Sequence, residues 1–288
     1  MRMLRPDRQQ VSTFLIDPES GAEMVRLTDL HKMTTQYMGG LFPQSLDIAH
    51  IHHVLDLACG PGDWVQDMAF EYPDMEVIGI DSSQALINHA RSTARMQGLD
   101  NASFRSMDIR KPLDFDDDSF DFIQARFLAT VLSPGEWPDL LAACKCVLRP
   151  GGILRLVEAE WPLTNSAAIQ ALGRIVIQAL QRIGRSYSSD GQHHGTLAVL
   201  VPFLHDAGLI QVQSRTYEIP FTAGPISLHP IIDQLRTALY LMEPALLSWE
   251  VVTHKEFEAL LRQMELESIG QDFRGTLSIE EAWGEKAA

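Results

Sequence analysis

The sequence predicts an α/β fold: a doubly wound, mostly parallel sheet of seven strands under a helical cap. Three observations carry that reading. Short apolar runs alternate with helix-like stretches from residue 53 to residue 158. A glycine-rich turn, Cys59-Gly60-Pro61-Gly62-Asp63, follows the first run. Acids then recur at or just past the ends of successive runs, at Asp56, Asp81 and Asp108. Strands and helices alternating at this spacing form right-handed βαβ units, and such units build parallel sheets.

Taken in order, Phe14-Leu15-Ile16 leads to Asp17-Pro18-Glu19, read as a helix start with proline in its first turn. Met24, Leu27, Leu30 and Met33 then repeat at helical spacing, and Gly39-Gly40 and Pro43 end the helix. Residues 53–58 (HVLDLA) form the first strand, 64–71 a helix and 76–80 (EVIGI) the second strand. Residues 82–97 read as a helix with serine at its cap and Gly98 as its stop. Residues 103–105 and 120–124 are the third and fourth strands. A helix over 135–148 ends at Arg149-Pro150-Gly151-Gly152, and 153–158 (ILRLVE) is the fifth strand.

Beyond Glu160 the rhythm loosens. Helices are expected over 165–183, 195–207, 231–249 and 253–269, with strands over 211–219 and 272–283. The chain thus divides into an N-terminal helical segment (1–49), a ligand-binding core (50–160) and a remainder (161–288) that completes the sheet. Helical insertions at about 161–190 and 225–270 join the N-terminal helix in a cap over the carboxyl edge of the strands, the edge at which open α/β sheets bind ligands.

Composition bounds the partners. The 288 residues are 45% hydrophobic and 21% charged, which excludes disorder and collagen-like repeats. With 23 basic and 38 acidic residues the formal charge is −15, a balance that repels phosphate backbones and argues against a nucleic-acid partner. No run approaches the roughly 18 apolar residues of a membrane span, and the basic start, Met1 to Gln10, leads into no signal-type apolar stretch. Three cysteines make no disulfide framework and fit a reducing cytoplasm.

The glycine turn carries the chemistry. Two glycines one residue apart let the backbone pass close to a ligand. A dinucleotide site would want Gly-x-Gly-x-x-Gly, and Val65 breaks that pattern. Asp56 at the strand end suits a cationic ligand, an ammonium or a sulfonium, and would repel a pyrophosphate. Asp81, followed by Ser82, suits the two hydroxyls of a ribose. Asp108, in Ser106-Met107-Asp108-Ile109, can accept a hydrogen bond from an adenine amino group.

The segments LDLACGPGD, VIGIDSS, SMDIRKPLDFDDDSFDFIQARF and LRPGGILRLVE, in that order over residues 50–160, resemble the class I S-adenosylmethionine-dependent methyltransferases, whose fold is Rossmann-like. The resemblance implies that Gly60 and Gly62 line the methionine moiety, Asp81 the ribose, and Asp108 with Ile109 the adenine. Gln124, Ala125 and Arg126 would flank the sulfonium. The family usually has glycine where Ala58 stands, and the turn is expected to survive the change. The His-His pair that many relatives carry after the fourth strand is absent from Leu128-Ala129-Thr130-Val131-Leu132. Gln36, Tyr37 and Met38-Gly39-Gly40 are expected to fold over the cofactor, as that segment does in many relatives.

On the acceptor side, Glu158, Glu160, Tyr187, His193 and His194 are the candidate bases, with Glu160, His193 and His194 put forward as the catalytic set. Asp190 to Gly195 reads equally well as an exposed loop. Trp161, Tyr187, Phe221 and Trp249 serve either an aromatic pocket or the core. No metal is expected. The five aspartates from Asp114 to Asp121 lack the glycine and the terminal glutamate of an EF-hand loop and read as a solvated turn. Cys144 and Cys146 read as core, and His50, His52 and His53 lack metal-binding partners. The reading is a methyltransferase for an oxygen, nitrogen or carbon atom of a small, apolar or aromatic molecule. The alternatives are a protein or RNA methyltransferase and a cofactor-binding protein without turnover. The helices at 165–183 and 231–247 offer a homodimer interface as another use.

Overall fold

The computed structural model describes residues 15–223 and 230–288. Phe14 and residues 224–229, part of the second expected insertion, lie outside the described residues. The strands β1 (His53–Leu57), β2 (Glu76–Asp81), β3 (Ala102–Ser106), β4 (Phe120–Arg126) and β5 (Leu148–Ala159) form one parallel sheet in the order β3-β2-β1-β4-β5. β8 (Arg274–Glu285) runs antiparallel to β5, and β7 (Ile210–Thr222) pairs antiparallel with β8 along nearly its whole length. A two-residue strand, β6 (Leu163–Thr164), also pairs with β8. Two residues are too few for any periodicity, so the sequence expected seven strands and the sheet has eight among the described residues.

Helices cover the sheet on both faces. Trp64, Val65 and Met68 of α2 (Asp63–Glu71) and Ile87 and Ala90 of α3 (Gln84–Gln97) pack on Val54, Val77 and Phe122. Trp64 stacks on Phe122 with ring centroids 6.5 Å apart; truncating a fully buried tryptophan costs about 3–5 kcal/mol. The opposite face buries Leu55, Ile123 and Leu154 against α4 (Trp137–Val147) and α6 (Leu200–Asp206).

A third apolar cluster lies at the carboxyl edge. There α1 (Gly21–Met38), α5 (Ala167–Arg182), α7 (Pro230–Ser248) and α8 (His254–Ser268) bury Met33, Leu172, Leu239 and Phe257. They enclose them with Val157, Phe221 and Leu277 from the ends of β5, β7 and β8. Among the described residues no helix is long and apolar enough to cross a membrane.

Several boundaries differ from expectation, each for a local reason. α1 starts at Gly21 and not at Pro18, because the Ser20 side chain accepts the Glu23 N–H as an N-cap. Ser83, not Ser82, caps α3; its Oγ accepts from Leu86 N at 3.2 Å. The helix expected from residue 195 is a short 3₁₀ turn at Leu197–Val199 followed by α6, since Gly195 sits at φ +82°. Pro150-Gly151-Gly152 lies within β5, where Gly151 N and Gly152 O bond to Lys286 beyond β8.

Candidate active site

The turn after β1 is built from left-handed backbone. Ala58 (φ +52°), Gly60 (φ +56°) and Gly62 (φ +89°) alternate with ordinary residues. A Cβ on Gly62 would lie 2.6 Å from the Phe104 ring and 2.8 Å from the Ala90 Cβ, so only glycine lets the turn press onto β3 and α3. Ala58, where relatives usually carry glycine, adopts the same conformation with a side chain attached; the turn survives, under strain.

Asp81 is built into this turn. Its Oδ2 accepts from Gly60 N at 3.0 Å and its Oδ1 from Ser83 N at 2.8 Å. Burial raises the Asp81 carboxyl, and backbone N–H bonds work against that. Each oxygen retains a lone pair for a further donor. Asp56 is buried beneath the turn, where desolvation pushes its carboxyl up to about 7, partly offset by Arg126 and Gln124. Arg126, at the end of β4, is itself lowered to about 10 by burial.

The third acid is engaged locally. Asp108 accepts from Arg110 Nε at 2.9 Å and Nη2 at 3.1 Å, and that pairing lowers its carboxyl. Ala58, Ser82, Met107, Asp108, Ile109 and Val131 nevertheless meet around a cavity of about 30 Å³. A larger cavity, about 640 Å³, lies away from all three acids, between α4 and α6 with Lys286 alongside. The larger cavity is therefore not the one that Ser82 and the Asp108 segment line.

α1 lies against this edge on polar contacts. Thr28 Oγ1 donates to Asp63 Oδ2 at 3.0 Å, and Ser83 Oγ donates to Glu19 Oε1, just ahead of the helix, at 2.7 Å. Arg126 Nη2 lies 3.1 Å from His31 Nδ1, and His31 Nε2 lies 2.8 Å from Asp67 Oδ2. Arginine only donates, so Nδ1 accepts and the His31 hydrogen sits on Nε2, facing Asp67. Tyr37 is on the last turn of α1, partly exposed, and Met38 is buried.

The three expected catalytic residues sit together with different partners. Glu160 Oε1 accepts from His194 N at 2.7 Å and its Oε2 from Gly195 N at 2.9 Å. His194 is buried and donates Nε2–H to the Arg185 carbonyl at 2.8 Å; burial lowers its pKa. His193 is exposed, and its Nδ1 pairs with Asp190 Oδ2 at 2.8 Å, which raises its pKa. Glu158, pushed up to about 8 by burial, accepts the Ala129 amide at 3.0 Å. The Tyr187 hydroxyl donates to Leu132 O at 2.7 Å, Trp161 Nε1 donates to Ile169 O at 3.2 Å, and Phe221 is core.

No group of three metal-ligating side chains occurs among the described residues. In the aspartate-rich turn Asp121 pairs with Arg149 and Asp118 with Lys286. Cys144 is core as expected, but Cys146 is exposed, because a two-residue step on a helix turns to another face. Sequence reasoning missed His31 and a buried Arg155–Glu281 pair. The only hint of the second was a charge inside the apolar run ILRLV.

These elements fit S-adenosylmethionine. The acids of β1 and β2 and the Asp108 segment past β3 line one edge, the backbone beside them is open to close approach, and a buried Gln124 Nε2 has no partner at hydrogen-bonding geometry among the described residues.

Comparison with known proteins agrees. Residues 54–152 match the family model described as a methyltransferase domain. The methyltransferase str2 of Strobilurus tenacellus is 26% identical over 217 residues, covering 74% of this chain and 72% of that protein. The trans-aconitate 2-methyltransferase of Deinococcus radiodurans is 30% identical over 149 residues, covering 52% of this chain and 53% of that protein. Among solved structures, the Haemonchus contortus phosphoethanolamine N-methyltransferase 2, determined with phosphomonomethylethanolamine and S-adenosylhomocysteine, superposes with a TM-score of 0.54 at 13% identity. That match covers 94% of this chain and 58% of the other, and it speaks for the fold.

Proposed function

We propose that this chain, whose residues 54–152 match a methyltransferase-domain model, is a class I S-adenosylmethionine-dependent methyltransferase that methylates an oxygen, nitrogen or carbon atom of a small, apolar or aromatic metabolite. The observation that carries the proposal is the helical layer of α1, α5, α7 and α8, whose apolar cluster closes over the carboxyl ends of β5 and β7 and the amino-terminal end of the antiparallel β8. An edge roofed by apolar helices suits a small acceptor better than a polymer. The formal charge of −15 works against RNA. The name of the Deinococcus relative specifies a small molecule, which supports the size of the acceptor though that molecule is a polar acid.

When bound, the cofactor supplies an electrophilic methyl group on a cationic sulfonium. The acceptor's lone pair forms the new bond to that carbon as the carbon–sulfur bond breaks, and the electron pair stays on sulfur. The chain's own contribution is positioning and charge. Asp81 with Ser82 would receive the ribose hydroxyls, and Met107, Asp108 and Ile109 would flank the adenine. Ala58, Gly60 and Gly62 would present backbone to the methionine moiety, with Asp56, Gln124 and Arg126 beneath it and Tyr37 on the covering helix. For a hydroxyl or amine acceptor the proton passes to His193. Its Nδ1 is held by Asp190, which leaves Nε2 as the basic nitrogen. Glu160 and His194 hold the loop that carries it.

The test is a methyl-transfer assay over small hydroxyl, amine and carboxylate acceptors, run beside bulk protein and RNA. Turnover confined to small molecules is expected. Turnover only on polymer overturns the substrate class, and cofactor binding without any turnover makes the chain a binding protein.

A further inference from the structure

On one face of the sheet, side chains from five neighbouring strands meet in a single buried row. The register sets Asp56 of β1 beside Gln124 of β4, and Gln124 beside Arg155 of β5. Arg155 reaches Glu281 of β8 with Nε at 2.9 Å and Nη2 at 2.6 Å, both on Oε2. Tyr217 of β7 donates to the other oxygen, Oε1, at 2.6 Å. Arg155 is 2% exposed and Glu281 0%.

An ion pair this deep costs more in desolvation than it returns unless its remaining donors and acceptors are used. Here they are. Arg155 Nη1 donates to Gln124 Oε1 at 2.7 Å and to the Leu41 carbonyl at 2.7 Å. Burial lowers the guanidinium's pKa, and Glu281 offsets only part of that.

The row settles the orientation of an amide. Arginine has donors only, so the oxygen of Gln124 faces Arg155 and its NH₂ is turned away. That nitrogen has no partner at hydrogen-bonding geometry among the described residues; its register neighbour on β1 is Asp56, and the Gln124 side chain pulls that carboxyl down against the effect of burial. We propose that Arg155 is a positioning residue of the cofactor site: held by Glu281 and Tyr217, it fixes the Gln124 amide toward Asp56 and so sets the carboxylate that faces the cationic methionine moiety of S-adenosylmethionine. The same Nη1 holds Leu41, in the segment that follows α1, so the covering helix and the cofactor acid share one anchor. The inference rests on Asp56 being part of the cofactor site.

The test is the dissociation constant for S-adenosylmethionine, measured by calorimetry from pH 6 to pH 9, with thermal unfolding as a folding control. The charged groups facing Asp56 are Arg126 of β4, Asp81 of β2 and Arg155 of β5; His31 of α1 and Asp67 of α2 lie behind Arg126. Tyr217→Phe removes the outermost bond of the row, at a half-buried position on β7, four strands away from Asp56 on β1. It is expected to weaken binding about two- to tenfold at pH 7, the size of one hydrogen bond, and to converge on the parent protein near pH 9. Gln124→Leu, which removes the donor itself, is expected to shift the profile the same way and serves where Tyr217→Phe folds poorly.

A loss of equal size at every pH, or an unchanged profile in both variants, overturns the proposal and leaves Arg155 a structural residue. Asp56→Asn separates the two levels: unchanged affinity in that variant overturns the site assignment itself, whatever the row does.

Discussion

Asp81 Oδ2 accepts the Gly60 amide at 3.0 Å, which ties the acid ending β2 into the glycine turn that follows β1. One carboxylate therefore shapes the turn, and in the proposed function it also receives the ribose. Asp81→Ala is expected to weaken S-adenosylmethionine binding by about two orders of magnitude, the worth of two hydrogen bonds to a charged acceptor. His193→Ala should change it less than about twofold. Calorimetric titration of both variants decides; equal effects would refute the assignment.

Ala58 lies at φ +52°, a conformation costing an alanine roughly 1–2 kcal/mol relative to glycine. Part of that is returned by the greater chain entropy glycine loses on folding. Ala58→Gly should therefore leave activity intact and stabilise by up to about 1 kcal/mol, read from denaturant unfolding. Ala58→Val should destabilise.

Gly60 and Gly62 differ although both have positive φ. A Cβ on Gly60 meets its nearest neighbour, Leu27 Cδ1, at 3.6 Å, whereas one on Gly62 runs into Phe104 and Ala90. Gly62→Ala is expected to cost at least about 2 kcal/mol more than Gly60→Ala, since overpacking adds to the backbone strain. Comparable melting temperatures for the two would mean that Phe104 and Ala90 do not crowd position 62.

Asp56 and Glu158 are raised by burial from 3.8 to about 7 and from 4.5 to about 8. Between the ordinary and the raised values the folded protein binds more protons than the unfolded chain. Stability therefore falls as pH rises from about 4 to about 8, with a slope approaching 1.4 kcal/mol per pH unit per group. Glu158→Gln can still accept the Ala129 amide and does not ionise, so its melting temperature should decline less over that range. Parallel declines in the two proteins would show that Glu158 is not the source.

His193 carries the Asp190 contact on Nδ1, and His194 commits Nε2 to a backbone carbonyl. With a hydroxyl or amine acceptor, His193→Asn should lower kcat by about 10²-fold or more while leaving cofactor affinity unchanged. Single-turnover assays check this. An unaltered rate would mean that transfer needs no base from this loop.

The motifs were legible because their geometry is local. The Gly62 amide closes the turn on Cys59 O, and Asp81 and Ser83 are two residues apart, so the order of glycines and acids in the chain reproduces their arrangement at the sheet edge. The starts of α1 and α3 were missed by two to four residues, because Ser20 and Ser83 supplied the caps in place of the expected residues. The partners of the missed residues lie far off in sequence: His31 meets Arg126 95 positions away, and Arg155 meets Glu281 126 positions away.

By itself, then, the sequence determined the cofactor chemistry: a close-approach turn, and three acids where the strands end, follow from short-range backbone preference and alternating periodicity. Only the tertiary structure decided what each charge does. It buried Asp56 until its carboxyl rose to about 7, bound Asp108 to Arg110, and engaged Glu160 with the backbone of the His194 loop. The physical reason is that proton affinity and hydrogen-bond partnership depend on what packs around a side chain, and folding supplies those neighbours from across the chain.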